Sequence, residues 1–528
     1  MLSYNKSGKI IYKNIYKINL VMSMLILIFL YFYDLYFIWS NGLNIINSDS
    51  ASEMILSMQL NKEGRILPLT TNWFYSTELR VLNTQIIYRI ALTLSPNNWR
   101  LAKTISVGIF LLVLIICAIW FMYKMGYADH ALWLACAVIS PFGFWYGQNV
   151  VFNSYYVPHI AISLVSFALS FSSIKAVSKR YKFFQIAVLL ILGFIAGCGG
   201  IRQLMVCYVP LFLAGVTLLY LRNGTDKTKE FFCLTCSLFL TSCAGYLLNN
   251  KILSRFFYFT NHSETMWGKF SLDKVWECIG DFIHLFGWHE DVNIFSIRGI
   301  GNVFGILLIF IALGAVICLL KNLKQLDCYE CLIVLFSVFA FLIQLLIFSA
   351  AGPYNESYWV PTAPFVFILL LITIRKCNDL IQKGTILIVF ASMILLCSRA
   401  TFRNPYNDKV PNSIAIQNVA EWLADLGYTQ GYATFWNSNI LTELSDGKIE
   451  MWTIEENSIM DLKCKGWLQN ITHAGNPPSG PVFLLLTKNE FESNINLTDS
   501  LSAYLVYGDD NFIIYSFDEI NQYWNLIE

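Results

Sequence analysis

Long apolar runs separated by short polar loops occupy the first three quarters of this chain. Runs able to cross the roughly 30 Å hydrocarbon core as a helix fall near 18–40, 101–123, 131–147, 157–174, 184–198, 204–221, 231–249, 302–320, 329–350, 361–374 and 384–398. The pattern predicts an α-helical polytopic membrane protein with about eleven transmembrane helices. The first run is long and aromatic and no small-residue cleavage site follows it, so it reads as a retained helix rather than a signal peptide. From about residue 399 the period changes. Residues 412–426 read as an amphipathic helix stopped by Gly427 and 437–445 as a short helix; 431–436, 448–454 and 481–487 read as strands, and 504–507 with 512–517 as a hairpin. The expected division is a transmembrane domain over 1–398 and a small α/β domain over 399–528. Two polar stretches interrupt the first part, a long loop at 41–99 and another at 250–301. In the second, Trp267, Phe270, Leu272, Val275, Trp276, Ile279, Phe282, Ile283 and Phe286 recur at helical spacing, as in a helix lying in the membrane interface.

Composition agrees with the class. Of 528 residues, 56% are hydrophobic and only 13% charged, against about 25% charged in soluble chains. The net charge of +1 hides an asymmetry: beyond residue 400 acids outnumber bases roughly three to one. No dense basic face is present, which argues against nucleic acid as a partner. The fourteen cysteines lie mostly inside apolar runs. Cys233/Cys236 and Cys328/Cys331 have a metal or redox spacing, but no second pair or nearby histidine completes a site.

Basic residues set an orientation. Lys6, Lys9, Lys13 and Lys17 precede the first span. Lys124, then Lys175, Lys179, Arg180 and Lys182, then Arg222, Lys227 and Lys229, then Lys321 and Lys324, then Arg375, Lys376 and Lys383 follow alternate spans. All six groups share one side if the N-terminus is cytoplasmic. An odd number of spans then places the loops 41–99 and 250–301 and the α/β domain outside.

The candidate chemistry lies on that outer side. Ser48-Asp49-Ser50-Ala51-Ser52-Glu53 follows the first span, with Ser50 and Glu53 three apart in the pattern of a capping box and Asp49 unexplained by it. Asn72-Trp73-Phe74-Tyr75-Ser76-Thr77-Glu78-Leu79-Arg80 comes later in the same loop. Gly197-Cys198-Gly199-Gly200-Ile201-Arg202-Gln203 parts two spans, and an arginine at an outer helix end is not accounted for by the positive-inside tendency. His159 reads first as a satisfied polar residue within the bundle. Tyr354, Glu356 and Tyr358 are candidates to line a groove. His262, Glu264, His289, Glu290 and Asp291 match no standard metal spacing, so a divalent metal stays open. Acids and arginines at the membrane surface suit group transfer from a lipid-borne donor, with a carboxylate as base and cations on a departing phosphate.

This layout resembles the GT-C superfamily of integral-membrane glycosyltransferases, most of all the bacterial branch of protein mannosyltransferase relatives and lipid A aminoarabinose transferases. The likeness rests on about eleven spans, a long first outer loop with an early acid, and an α/β tail. It implies that Asp49 is the catalytic acid and that a second loop acid falls on Glu78; the residues themselves make Arg202 and Arg80 the candidates to contact the donor phosphate, and Glu53, His159, Tyr354 and Glu356 candidates to line the substrate. Asp49 is followed by serine, not the glutamate many relatives have, and Asn72–Arg80 stands where they carry a His-Pro-Pro-like element. The implied donor is a polyprenyl-phosphate sugar and the implied acceptor an envelope glycan, lipid or protein, in a bacterial cytoplasmic membrane. The competing readings are a surface-polysaccharide polymerase or ligase of another fold and a lipid or sugar transporter. A transporter is expected to show internal repeats and paired broken helices, and the sequence shows neither clearly.

Overall fold

The computed structural model describes residues 6–42, 45–77, 79–259, 266–288, 292–352, 354–377, 379–403, 413–494 and 501–527. Among them are ten helices long and apolar enough to cross a membrane: Lys17–Asn41, Trp99–Met125, Val157–Lys175, Lys179–Cys198, Ile201–Leu221, Asp226–Arg255, Ile297–Lys321, Cys328–Ala350, Glu356–Lys376 and Ile381–Arg403. The protein is a multi-pass membrane protein. The chain forms two compact units. A bundle unit holds residues 1–36, 108–248 and 264–405, and a sheet unit holds 37–107, 249–263 and 406–528.

The third expected span, 131–147, is not one helix. It is helical only over Ala131–Ile139, turns extended at Ser140 (ψ 126°) and resumes at Phe144 as a short helix running into a π-helical turn at Gly147–Phe152. Pro141 is the cause: it lacks an N–H and drives the residue before it out of helical geometry. Gly143 then packs so closely on the Leu285 carbonyl that a Cβ there would collide. This interrupted segment still carries the chain from one end of the bundle to the other. Helices Trp99–Met125 and Val157–Lys175 both finish at the same end, since Lys175 Nζ donates to the Lys124 carbonyl at 2.5 Å, so the intervening residues must return across.

The basic loops converge at that end. Arg222 donates to the Lys324 carbonyl (3.0 Å), Lys376 pairs with Glu330 (2.7 Å), and Arg375 bonds the Gly126 carbonyl. Lys175 and Lys227 both sit over the Tyr329 ring at 4.4 and 4.1 Å, and Lys182 pairs with Glu230. Five of the six basic groups read from the sequence therefore share one end of the bundle, and residues 6–16 carry the sixth group with Lys17. Inside, Phe167 packs edge-on to Phe121, Phe336 and their neighbours. Helices Lys179–Cys198 and Asp226–Lys251 approach backbone to backbone: a Cβ on Gly197 would strike the Ser242 carbonyl, and one on Gly245 the Phe194 carbonyl. Small residues at such crossings let membrane helices pack tightly without a hydrophobic driving force. On the outside, Phe29, Phe32, Phe310, Leu313 and Leu346 are more than half exposed, which suits contact with lipid.

The sheet unit follows its periodicity closely. Five strands lie in the order Glu450–Ile454, Gln430–Thr434, Val482–Thr487, Phe512–Phe517, Leu505–Gly508. The first two pairings are parallel and the last two antiparallel. The expected hairpin is present, with an irregularity between Ile514 and Tyr515. Helix Ser413–Asp425 covers one face through Ile416, Val419 and Leu423, which pack with Phe483, Leu485 and Ile514. A second, three-stranded sheet joins the first loop to the tail: Trp73–Tyr75 pairs parallel with Tyr258–Phe259 and antiparallel with Gln469–Asn470. The loop 37–107 therefore folds with the tail as one body rather than standing apart from it.

Candidate functional site

In the sheet unit the acids lie on helix Ser48–Lys62. The cap differs from the expected box: Asn47, extended at φ −124° and ψ 157°, is the N-cap and accepts from Ser50 N at 2.8 Å. The helix thus starts before Ser50, and Asp49 falls in its first turn, where the unpaired N–H groups and the dipole favour a negative charge. Glu53 is not a capping residue. It is buried and accepts from Asn83 Nδ2 (3.3 Å) and Thr84 Oγ1 (3.1 Å). Burial pushes its carboxyl up; Arg80 and the Thr84 hydroxyl pull the other way, and the charge of Asp49, one turn back, pushes it further up. Asp49, Glu53 and Arg80 therefore act on one another electrostatically, and Glu53 and Arg80 line a small cavity together with Ser52, Trp73 and Tyr75. Glu78 lies outside the described residues, as do His262, Glu264, His289, Glu290 and Asp291. Among the described residues no three metal-ligating side chains come together.

Two buried charges that the sequence reading missed hold this helix start. Lys103 Nζ donates to Ser50 Oγ at 3.1 Å and pairs with Glu443 at 3.5 Å, their side chains 6% and 3% exposed. Ser48 Oγ donates to the Phe435 carbonyl at 2.5 Å, and Asp446 caps helix Trp99–Met125 by accepting from Trp99 N at 2.8 Å. The residues flanking Asp49 are thus fixed from the tail helix Phe435–Leu444 and from Lys103. A lysine inside the second apolar run and a glutamate 340 positions later carry no local signal that they meet.

The bundle unit places Arg202 at the end away from the basic loops, because helix Lys179–Cys198 starts at that basic end and runs about 30 Å before Gly199. Gly200 turns there with φ 103°, a conformation natural only to glycine. The guanidinium sits over two rings, Tyr156 at 5.1 Å and Tyr358 at 4.8 Å, and donates to Tyr156 Oη at 2.8 Å. Behind it Gln203 meets His159 Nδ1 at 2.7 Å, so His159 is a buried support of the arginine turn. Glu356 accepts from Trp145 Nε1 at 2.6 Å. Tyr354 donates to Asp281 Oδ2 (2.9 Å) and accepts from Trp359 Nε1 (3.0 Å). Burial raises the Asp281 carboxyl, Tyr354 lowers it and the charge of Glu356 raises it again. Arg202, His159, Tyr354 and Glu356 thus share one end of the bundle, and Trp145, Tyr156 and Asp281 join them. Asp34 was also missed: it is fully buried in the first span, and neither carboxylate oxygen has a partner among the described residues. Its signal was available as the single acid inside an apolar run.

This architecture has solved counterparts. ArnT, an aminoarabinose transferase, from Cupriavidus metallidurans superposes with a TM-score of 0.59 in its apo state and 0.58 when bound to undecaprenyl phosphate; in both cases 93% of this chain and 97% of that one are covered at 11% identity. The fold is that of the GT-C glycosyltransferases. The Archaeoglobus fulgidus oligosaccharyltransferase is also similar, with a TM-score of 0.45 at 10% identity over 90% of this chain and 69% of that one. No protein-family model and no curated protein matches the sequence. The fold is shared at only 11% identity, as expected where hydrophobic pattern rather than residue identity builds the bundle.

Proposed function

We propose that the protein is a membrane glycosyltransferase that moves a sugar from a polyprenyl-phosphate carrier to an acceptor of the cell envelope. The observation that carries this reading is Arg202, a guanidinium held over two tyrosines at the end of a GT-C bundle opposite its basic loops. A planar fork fixed in this way suits a phosphate, and ArnT has been captured with undecaprenyl phosphate. In the reaction Asp49 takes the proton of the acceptor hydroxyl as its oxygen attacks the anomeric carbon. The bond from that carbon to the phosphate oxygen breaks, and the polyprenyl phosphate leaves with the electron pair, its charge met by Arg202. Arg80 and Glu78 are the further groups we assign to this chemistry, and Glu53, whose carboxyl is raised by burial, lines the acid's side. The basic end is assigned to the cytoplasm and the tail domain, 399–528, to the outer face of a bacterial membrane. Exposed Trp267, Phe270, Leu272 and Trp276 then rest helix Leu272–His284 in the interface.

The test is product formation. Full-length protein in lipid, given polyprenyl-phosphate sugars and envelope acceptors, is expected to form a glycosylated product. Asp49→Asn keeps the side chain's volume and removes its basicity, so turnover is expected to fall by roughly 10²–10⁴-fold with donor affinity unchanged. Wild-type turnover by Asp49→Asn would remove the base from the mechanism.

A further inference from the structure

At the basic end of the bundle two lysines share one ring. Lys175 is the last residue of helix Val157–Lys175, and Lys227 the second of helix Asp226–Lys251. Their ammonium nitrogens lie 4.4 and 4.1 Å from the centre of the Tyr329 ring, so the two are within about 8.5 Å of each other. Tyr329 is itself the second residue of helix Cys328–Ala350. Other basic residues at this end are paired: Lys182 with Glu230, Lys229 with Asp226, Arg375 with Asp129 and Lys376 with Glu330. Among the described residues no carboxylate comes within ion-pair reach of Lys175 or Lys227; their contacts are the ring and, for Lys175, the Lys124 carbonyl. We propose that Lys175 and Lys227 hold the phosphate of an anionic phospholipid from the membrane leaflet at this end. The proposal goes beyond the transfer reaction and does not depend on it.

Charge selects an anion. Two ammoniums this close repel, and the one ring they share compensates each only in part. The field of Lys124 reaches Lys175 as well and adds a third positive charge. The acids nearby are already engaged. Asp327, whose field also reaches Lys175, accepts from Tyr329 N and Glu330 N, each at 2.8 Å, and so caps its helix. Glu230, close enough to act on Tyr329, takes Lys182. An anion from outside the chain therefore completes the cluster. Position selects its kind. The lysines and the tyrosine lie within one turn of the ends of three spans, at the depth of lipid head groups, and basic pockets between membrane helices suit anionic head groups. Lys175 is exposed and Lys124 and Lys227 are half-buried, so a head group has access to all three. Charge-assisted bonds run about 2.7–2.9 Å, which lets the two free oxygens of one phosphate diester meet both lysines. A zwitterionic lipid would bring a further ammonium to a cluster that already holds three.

The experiment is native mass spectrometry of the full-length protein, delipidated in a neutral detergent and titrated with dioleoyl phosphatidylglycerol. Saturable binding is expected. Lys175→Gln with Lys227→Gln should weaken it about thirtyfold, each lysine near a membrane surface being worth roughly a factor of five. Lys321→Gln with Lys324→Gln removes the same charge from exposed positions at the same end and should cost less than about threefold, since neither touches the Tyr329 cluster. Phosphatidylethanolamine should bind more weakly than phosphatidylglycerol, and millimolar inorganic phosphate should not displace the bound lipid. Circular-dichroism melting certifies that each variant is folded. If the first double variant is not, Lys227→Gln alone decides, with an expected loss of about fivefold. Equal losses in the two double variants, or unchanged affinity once Lys227 is replaced, would reduce the cluster to general attraction and overturn the proposal. Displacement by inorganic phosphate, tighter binding of a polyprenyl phosphate, or equal binding of phosphatidylethanolamine would overturn the choice of ligand and with it the proposal. Because no transfer step is read, either result leaves the assignment of Asp49 and Arg202 where it stood.

Discussion

Replacing Lys103 by methionine tests whether the buried pair holds the start of the acid-bearing helix. Lys103 and Glu443 are almost fully buried, 3.5 Å apart, and Lys103 also reaches Ser50. The second oxygen of Glu443 has no partner among the described residues, so the lysine is its main compensation, and burial already pushes the Glu443 carboxyl up. Removing one partner of such a pair strands the other charge and costs about 3–5 kcal/mol, whereas replacing both by apolar groups of similar volume is close to neutral. Lys103→Met should therefore destabilise the contact between helices Ser48–Lys62 and Phe435–Leu444 by about 3–5 kcal/mol. Lys103→Met with Glu443→Leu should recover most of that loss. Hydrogen–deuterium exchange followed by mass spectrometry on peptides from both helices reads the local opening free energy, and 3–5 kcal/mol corresponds to opening roughly 10²- to 5×10³-fold more often. The double variant should still lose turnover, because the bond to Ser50 beside Asp49 is gone. Additive costs in the double variant, or exchange in Lys103→Met indistinguishable from wild type, would refute the reasoning.

Three other outcomes follow from the geometry. Arg202→Lys keeps the charge but loses the planar fork and the stacking on Tyr156 and Tyr358, so donor KM should rise about tenfold or more, corresponding to the 1.5–3 kcal/mol of a charged hydrogen bond, with a smaller change in kcat. Gly197→Leu should separate helices Lys179–Cys198 and Asp226–Lys251, because even a Cβ meets the Ser242 carbonyl; overpacking typically costs about 1–3 kcal/mol, visible as a lower unfolding temperature in detergent. Glu63 carries a pH signature. Burial alone would raise it, but hydrogen bonds from Arg65, Gln59, Thr70 and Asn72 prevail and hold its carboxyl at about 2. A depressed acid contributes stability that is complete above its unfolded pKa, roughly 4.3, and is lost as pH falls toward 2. Amide exchange around residues 59–72 should therefore quicken between those values in wild type and show no such step in Glu63→Gln.

The hydrophobic pattern alone determined the class, the ends of most spans and the order of helices and strands in the tail. Burial in lipid demands long apolar runs with satisfied backbones, and sheet faces demand alternation, so both leave a period that one chain displays. Basic loops were legible for the same reason: Lys124, Lys175, Arg222, Lys324 and Arg375 repeat at every second turn of the chain, and the structure gathers them at one end. The interrupted segment at 131–147 was readable in hydropathy but not in shape, since Pro141 breaks the helix without changing its apolar character. Arg202 stood out as a cation where none was expected. What the sequence withheld were the partners. Tyr156 and Tyr358 flank Arg202 from opposite sides of a 200-residue gap in the chain, Glu443 meets Lys103 across 340 residues, and Trp73 shares a cavity floor with Gln469 and His473. Local periodicity reports which face of an element is buried; only the packed fold decides what is buried beside it, and the chemistry of the candidate sites lies in those neighbours.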